Sequence, residues 1–478
     1  MHKNRLGRRQ LLKAIGAGAA ALALPWPMRA WASLKPGPNI ILIVADDLGY
    51  GDLGCYGQEK TLTPNIDRLA DEGMRFTQCY AGSTVCAPSR CSLMTGMHNG
   101  HNRIRDNLPH NIFLQPDDLT VAEVLKQAGY KTGAIGKWAL GDPGSWGVPN
   151  YQGFDYWYGH LKQDLAIYYY PTHLWENDRI VMMQDLVMVN DVGKMVGNRG
   201  GQRIKYTHDL FTEKAVSFIE RHREDPFFLY LAYTLPHFSD YPADSPDHYM
   251  VPSDEPYTDK DWPQIAKNYA AMITRMDRDV GRILELIKKL GIDENTILFF
   301  TSDNGPYLGA APPREFFDSN GPLRGGKRDL YEGGIRIPMT ARWPGKVPAG
   351  CVSDRVWAFW DFLPTAAELA GLPVPKDIDG ISMLPELLGK PQKNHDYLYW
   401  DYGHVRKTYK QAVRMGDWKG IRNGAKAPIE LYNLRDDPGE SKNVAAQNPQ
   451  VVSQIEGIMR TARTDSQDYP IGGATTGG

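Results

Sequence analysis

The sequence predicts an α/β fold: a large mixed, mostly parallel sheet flanked by helices, with a smaller antiparallel-sheet subdomain at the C-terminal end. Three observations predict it. Short apolar runs rich in Ile, Val and Phe alternate with helical segments, the signature of a largely parallel sheet. Pro and Gly stand where helices should open and close. After about Pro375 the runs become short and read as antiparallel strands.

Asn39–Ala45 is a run of Ile, Leu and Val and reads as the first strand. Thr61-Leu-Thr-Pro64 opens a helix with Pro in its first turn, and Gly73 closes it. A helix from about Thr120 ends at Gly129, and Tyr130–Ile135 is a weaker strand. Asp209–Arg221 is an amphipathic helix, and Pro226–Tyr233 a buried strand. A long helix covers roughly Gln264 to Leu290 and stops at Gly291, before the buried strand Thr296–Phe300. Beyond Pro375, Tyr397–Trp400 and Gln411–Arg414 read as antiparallel strands, and Val451–Thr461 as a helix. The division expected is a leader at 1–32, a main domain at 36–375 and a C-terminal subdomain at 376–478.

The leader has the parts of a signal peptide: Arg8-Arg9 before Gln-Leu-Leu-Lys13, an apolar stretch from Ala14 to Leu24, and the small pair Ala30 and Ala32. The arginine pair resembles a twin-arginine signal. The stretch is short for a span and ends at Pro25 and Pro27, so no stable membrane insertion is expected after its removal. A periplasmic or secreted protein follows. The chain has 54 basic and 56 acidic residues, and this balance excludes nucleic acid as a partner. Its five cysteines are an odd number, so in an oxidising compartment at least one is unpaired or specially used.

Several predicted strands end at groups that do chemistry. The first ends at Asp46-Asp47, the second near Lys137, the third just before His237, and the fourth leads into Asp303-Asn304. Ligands of open α/β sheets bind outside the carboxyl ends of the strands, so these residues should share one cleft. Three carboxylates there repel one another, and a hard divalent cation resolves the repulsion. The all-oxygen donor set suits Ca²⁺, with Mg²⁺ as the other candidate. Each Asp pair alone also reads as a helix cap or turn; two acidic strand ends in one chain favour the metal.

Cys86-Ala87-Pro88-Ser89-Arg90 carries the strongest signal. Pro88 suits the first turn of a helix, which puts Cys86 just before its N-terminus, where free N–H groups and the dipole favour an anion. Arg90 adds a fixed charge one turn on. This segment, with Thr95-Gly96, resembles the signature of the type I, formylglycine-dependent sulfatases of the alkaline-phosphatase-like superfamily. The resemblance runs from about Asn39 to Leu431-Tyr-Asn-Leu-Arg-Asp-Asp-Pro438 and includes Gly136-Lys137-Trp138, Pro236-His237, Ser302-Asp-Asn-Gly305 and Gly326-Lys327. It implies that a maturation enzyme converts Cys86 to formylglycine, whose hydrate supplies the attacking hydroxyl. It also implies that Asp46, Asp47, Asp303 and Asn304 hold Ca²⁺ with the modified Cys86. By the same resemblance Arg90 steadies the formylglycine, Lys137 and Lys327 grip sulfate oxygens, and His237 contacts or protonates the leaving oxygen.

One position departs from the family pattern: Ala139 stands where many members have His, the group that helps to collapse the covalent sulfate intermediate. The substrate expected is a small-molecule or saccharide sulfate ester, with a sulfated carbohydrate first. His101 and Arg105 follow the nucleophile segment and are candidate substrate-binding residues, as are His98 and Arg103. Phe154–Tyr158, Tyr168–Tyr170 and Trp175 form either a sugar-stacking wall or part of the core. Two other functions fit the same motifs: a phosphate or phosphonate ester hydrolase, and a non-catalytic sulfated-glycan binder.

Overall fold

The computed structural model describes residues 37–183, 188–189, 195–196, 203–309 and 314–471; the leader read at 1–32 lies outside them. Along the chain the strands are β1 (Asn39–Ala45), β2 (Met74–Tyr80), β3 (Lys131–Lys137), β4 (Tyr156–His160), β5 (His173–Glu176) and β6 (Arg179–Met182). A two-residue ribbon, β7 (Met188–Val189) and β8 (Met195–Val196), follows. Then come β9 (Phe227–Ala232), β10 (Thr296–Ser302), β11 (Arg336–Arg342), β12 (Cys351–Ser353) and β13 (Trp357–Ala358).

Among the described residues these make an eleven-stranded sheet ordered β12-β2-β11-β10-β1-β9-β3-β4-β5-β6, with β13 beside β2. The centre, β10-β1-β9-β3-β4, is parallel, and both flanks add antiparallel strands. All seven residues of β1 are buried, because the sheet is covered on both faces. Ile40, Leu42 and Val44 face helices Cys86–Thr95, Val121–Lys126 and Phe362–Leu369. Ile41, Ile43 and Ala45 face Pro64–Asp71, Thr207–Arg221 and the long helix Gln264–Lys289. Thr120 and Glu123 close a reciprocal capping box that starts the helix before β3.

A second sheet has antiparallel strands β14 (Leu398–Tyr402), β15 (Lys410–Met415), β16 (Trp418–Asn423) and β17 (Ile429–Asn433). One face packs under helix Pro449–Thr461 through Ile455 and Met459. The other packs Leu398, Trp400 and Ile421 against Tyr80, Val85, Leu330 and Trp360 of the main sheet's loops and edge. Between the sheets the buried Glu332 carboxylate receives Lys419 at 2.8 Å and the Tyr80 hydroxyl at 2.6 Å. From Gly37 onward the described residues form one compact unit. No helix of the described residues is long and apolar enough to cross a membrane, and all five cysteines are free thiols.

Four of the five parallel strands match the sequence reading; β4, which overlaps the aromatic-rich stretch Phe154–Tyr158, was not read as a strand. The antiparallel strands of the large sheet went unread for a physical reason. Strand β11 contains Pro338, which ordinarily argues against a strand; here the β11–β2 register shifts between Ile337 and Met339, so the proline sits at an irregularity in the ladder.

Candidate active site

The carboxyl ends of the parallel strands do converge. Asp46 and Asp47 follow β1, Lys137 is the last residue of β3, and Asp303-Asn304 follow β10. Two glycines set the close approaches. Gly136 has φ 109° and a Cβ there would stand 1.8 Å from the Ala232 carbonyl, so β3 meets β9 closely only without a side chain. A Cβ on Gly305 would stand 1.9 Å from the Gly333 carbonyl, where the Asp303 loop meets the Glu332-Gly-Gly334 turn.

Cys86 is the first residue of helix Cys86–Thr95, one position further in than the sequence reading put it, and Pro88 is in the first turn. Val85 gives no side-chain cap; instead the Asn107 amide oxygen accepts the Ala87 N–H at 2.9 Å. The Cys86 Sγ lies 3.4 Å from an Asp46 oxygen and 3.5 Å from Lys327 Nζ. Burial, with Asp303 and Asp46 beside it, pushes the thiol up to about 12.

Carboxylates and cations interleave around this sulfur. Lys137 Nζ donates to Asp46 at 2.7 Å, and Lys327 Nζ reaches the two Asp47 oxygens at 2.6 and 2.7 Å. Arg90 is fully buried and gives Nε and a terminal nitrogen to one Asp303 oxygen at 3.0 and 2.8 Å. Burial alone would raise the Asp46 carboxyl, but Lys137, His237 and Arg90 bring it down to about 2. Asp47 likewise falls, against its burial, through Lys327 and His237. His237 gives its Nδ1–H to the Phe238 carbonyl at 2.8 Å, so its Nε2 lone pair meets the Lys327 ammonium at 3.1 Å. Burial and Lys327 hold it below the usual imidazole range.

The lysine loop is pinned on both sides of Lys327. Its own N–H donates to the Pro306 carbonyl at 2.9 Å, and the next, of Arg328, to Thr84 at 3.1 Å, just before the nucleophile helix. The Tyr230 hydroxyl, 3.2 Å from Arg90, and Asn107 are site residues the sequence did not single out. Tyr230 sits inside a strand read as buried core, and Asn107 in a loop without a motif.

A divalent cation fits these residues. Asp46, Asp47, Cys86 and His237 each offer a ligand atom within 4.8 Å of the others. The Asn304 side-chain oxygen is buried with no hydrogen-bond partner, while its nitrogen donates to Asp47 at 2.8 Å. Asp46, Asp47 and Asp303 are balanced by Arg90, Lys137 and Lys327. A divalent cation added to this balance leaves a positive surplus, which an anionic ester matches.

His101 and Arg105 are not brought to this cluster. The His101 ring stacks on His98 at 4.2 Å and bonds Asp379 at 2.9 Å. Arg105 is buried and spends its donors on Asn102 and Thr464, each at 2.9 Å. Both tie the loop after the nucleophile helix to distant segments. Arg103 pairs with Asp118 and Asp117. Phe154, Trp157, Tyr158, Tyr169 and Tyr170 are buried in the two cores, so those aromatics are packing. A cavity of about 400 Å³ instead opens beside the nucleophile helix, lined by Ala87, Asp106, Asn107, His110, Ala139 and Lys162 among others. Ala139 itself has a left-handed φ of 67°.

Comparison with known proteins agrees with this arrangement. The sulfatase family model matches residues 38–372, and a model of the C-terminal region of N-sulphoglucosamine sulphohydrolase matches 325–465. An N-acetylgalactosamine-6-O-sulfatase of Bacteroides thetaiotaomicron is 32% identical over 89% of this chain and 93% of its own. Arylsulfatase G of Rattus norvegicus is 33% identical over 91% and 87%. The crystal structure of Ps i-CgsB with k-i-k-neocarrahexaose superposes with a TM-score of 0.75 at 31% identity, covering 92% of this chain and 96% of that one. With a matching model over most of its length, relatives of that coverage and a cysteine set among interleaved carboxylates and cations, the chain belongs to the sulfatase family and is a sulfuric ester hydrolase.

Proposed function

We propose that this sulfatase hydrolyses a sulfate monoester of a sulfated carbohydrate, with Cys86 converted to formylglycine and Ca²⁺, or Mg²⁺ in its place, held by Asp46, Asp47, Asp303 and Asn304. The observation that carries the reading is the position of Cys86: it starts a helix between Asp46 and Lys327, and the next residue lines a cavity of about 400 Å³ with polar and apolar walls. That volume falls in the range of small-molecule sites. The Bacteroides relative is named for a sulfated sugar and the structural neighbour holds a saccharide, and both support a carbohydrate substrate.

When present, formylglycine supplies a hydrated aldehyde hydroxyl as nucleophile, and the cation supplies positive charge at the sulfuryl oxygens. The chain's own residues do the rest. Lys137 and Lys327 donate N–H groups to sulfate oxygens, fixed in place by their aspartates. Arg90 holds Asp303 and Asp46 in register with the helix start. The leaving oxygen takes its proton at the His237 corner. His237 Nε2 carries a lone pair there, and Lys327, 3.1 Å away, is the adjacent proton carrier. Residues 36–375 act as the catalytic domain, and 376–478 as a subdomain that braces the Lys327 loop through Lys419 and Glu332. A formylglycine-generating enzyme is the maturation partner, and twin-arginine export puts the activity in the periplasm or outside the cell.

The test is sulfate release from a panel of sulfated mono- and oligosaccharides, against phosphate and phosphonate esters, by protein co-expressed with a maturation system. Mass spectrometry of the peptide ending at Arg90 reads the state of position 86. An aldehyde at Cys86 and a preference for a sulfated saccharide support the reading. Preference for a phosphate or phosphonate ester, or full activity of Cys86→Ala, overturns it.

A further inference from the structure

The loop that leaves the site at Ala139 carries two aromatic side chains on the surface. Trp146 and Tyr151 are 58% and 61% exposed, the two aromatic rings among the large exposed hydrophobic side chains of the described residues. They lie against each other, with centroids 5.6 Å apart. A lone exposed apolar side chain needs no explanation; a Trp–Tyr pair held together beside a cavity does.

The loop is held rigidly. The Trp138 indole donates to the Gly147 carbonyl at 2.7 Å, and the Gln152 amide to the Trp146 carbonyl at 2.8 Å. A Cβ on Gly147 would stand 2.4 Å from the Leu140 carbonyl, so the two arms of the loop touch backbone to backbone. The loop is also continuous with the site. Ala139, Gly141 and Asp142 line the cavity beside the nucleophile helix. Ser145 N–H donates back to the Asp142 carbonyl at 2.9 Å, closing a turn. Such a turn keeps its ends within about 7 Å, and Trp146 is one residue of about 3.8 Å further. The pair therefore starts within about 11 Å of the cavity wall.

We infer that Trp146 and Tyr151 form a stacking platform for an uncharged pyranose ring of the substrate chain, outside the cavity that takes the sulfated residue. The division follows from the chemistry. The cavity side offers charge, with Lys162 and Asp142 paired at 2.8 Å. The platform offers aromatic faces with a polar tip, which suit the C–H face and rim hydroxyls of a neutral sugar. The enzyme then prefers a sulfated oligosaccharide to the matching monosaccharide. Remote contacts of this kind add binding energy without touching the reacting bond.

The inference rests on the carbohydrate reading above, and one experiment separates the two. Steady-state rates are measured for wild type, Trp146→Ala, Tyr151→Ala and Trp146→Phe on a sulfated oligosaccharide, its sulfated monosaccharide and 4-nitrophenyl sulfate. The platform predicts a rise in oligosaccharide KM of roughly 2- to 12-fold per ring removed, with the aryl sulfate constants unchanged and partial recovery in Trp146→Phe. An unchanged oligosaccharide KM overturns the platform alone, as does an equal loss on all three substrates. A wild type that releases sulfate from the aryl ester but from neither saccharide overturns the carbohydrate reading, and the platform with it.

Discussion

Replacing Arg90 by Met tests the charge balance of the site through stability rather than rate. Arg90 has no exposed surface. Its guanidinium makes two hydrogen bonds to one Asp303 oxygen, one to the Lys137 carbonyl at 3.0 Å and one to the Tyr230 hydroxyl, and lies 3.6 Å from Asp46. Methionine has similar reach but no charge and no donor. The Asp303 carboxylate would then be buried without those donors, which costs about 3–5 kcal/mol. The Coulomb interaction of two unit charges at such a distance, about 4 kcal/mol at an effective dielectric near 20, agrees. With an unfolding entropy of about 2.1 cal/mol/K per residue, a chain of this length loses about 1 °C per kcal/mol, so the melting temperature in chelator should fall by roughly 3–5 °C. The sign of the calcium effect is the sharper test. Without Arg90 the cluster carries one negative charge in excess, so a divalent cation binds a more favourable field. Excess Ca²⁺ should therefore raise the melting temperature of the variant by more than that of wild type. Calorimetry in EDTA and in Ca²⁺ measures both. A variant that melts with wild type in EDTA, or gains less from Ca²⁺, would refute the argument that arginine stands in for cation charge here.

Three further outcomes follow from the geometry. Asp52 is fully buried, with one carboxylate oxygen accepting from Gly49 and Tyr269 and the other unpartnered. Burial raises it from 3.8 to about 7, so its folded state binds the proton more tightly, and stability falls as pH rises through that window. Asp52→Asn should then be more stable than wild type at pH 8 by roughly 1–3 kcal/mol, with the gain gone near pH 4; urea melts at the two pH values check it. Lys327→Ala removes the N–H donor shared by Asp47 and His237, and kcat for sulfate release should drop by roughly 10²–10³. Ala139→His puts a ring into the cavity that Ala139 lines, at a φ that His tolerates better than branched residues. KM for a saccharide sulfate should rise, with little change for a small aryl sulfate; faster steady-state turnover of the aryl ester would show instead that a proton acceptor is missing at this position.

How far the site was legible depended on what brings each residue into it. Asp46, Asp47, Lys137, Asp303 and Asn304 lie at the ends of parallel strands, where a topological rule turns separated segments into neighbours. The sequence could place them without knowing any side-chain direction. Lys327 is different: it sits on a loop held by Pro306 and Thr84, where no strand end announces it. His101 and Arg105 show where proximity along the chain misleads. They stand close after the nucleophile, yet their side chains turn to Asp379 and Thr464, 278 and 359 residues away, and no local pattern encodes those partners. Of the two readings of the aromatic clusters, the structure bears out the core. A cluster such as Phe154–Tyr158 attracts attention by density, but density of rings is what a buried strand contributes to a core. The exposed pair, Trp146 and Tyr151, is sparse in sequence and set among Gly, Pro and Ser. Side-chain hydrogen bonds from Trp138 and Gln152 to the loop's carbonyls hold it outward. For a surface site, then, the informative signal is an aromatic residue in a segment that has no strand or helix to bury it.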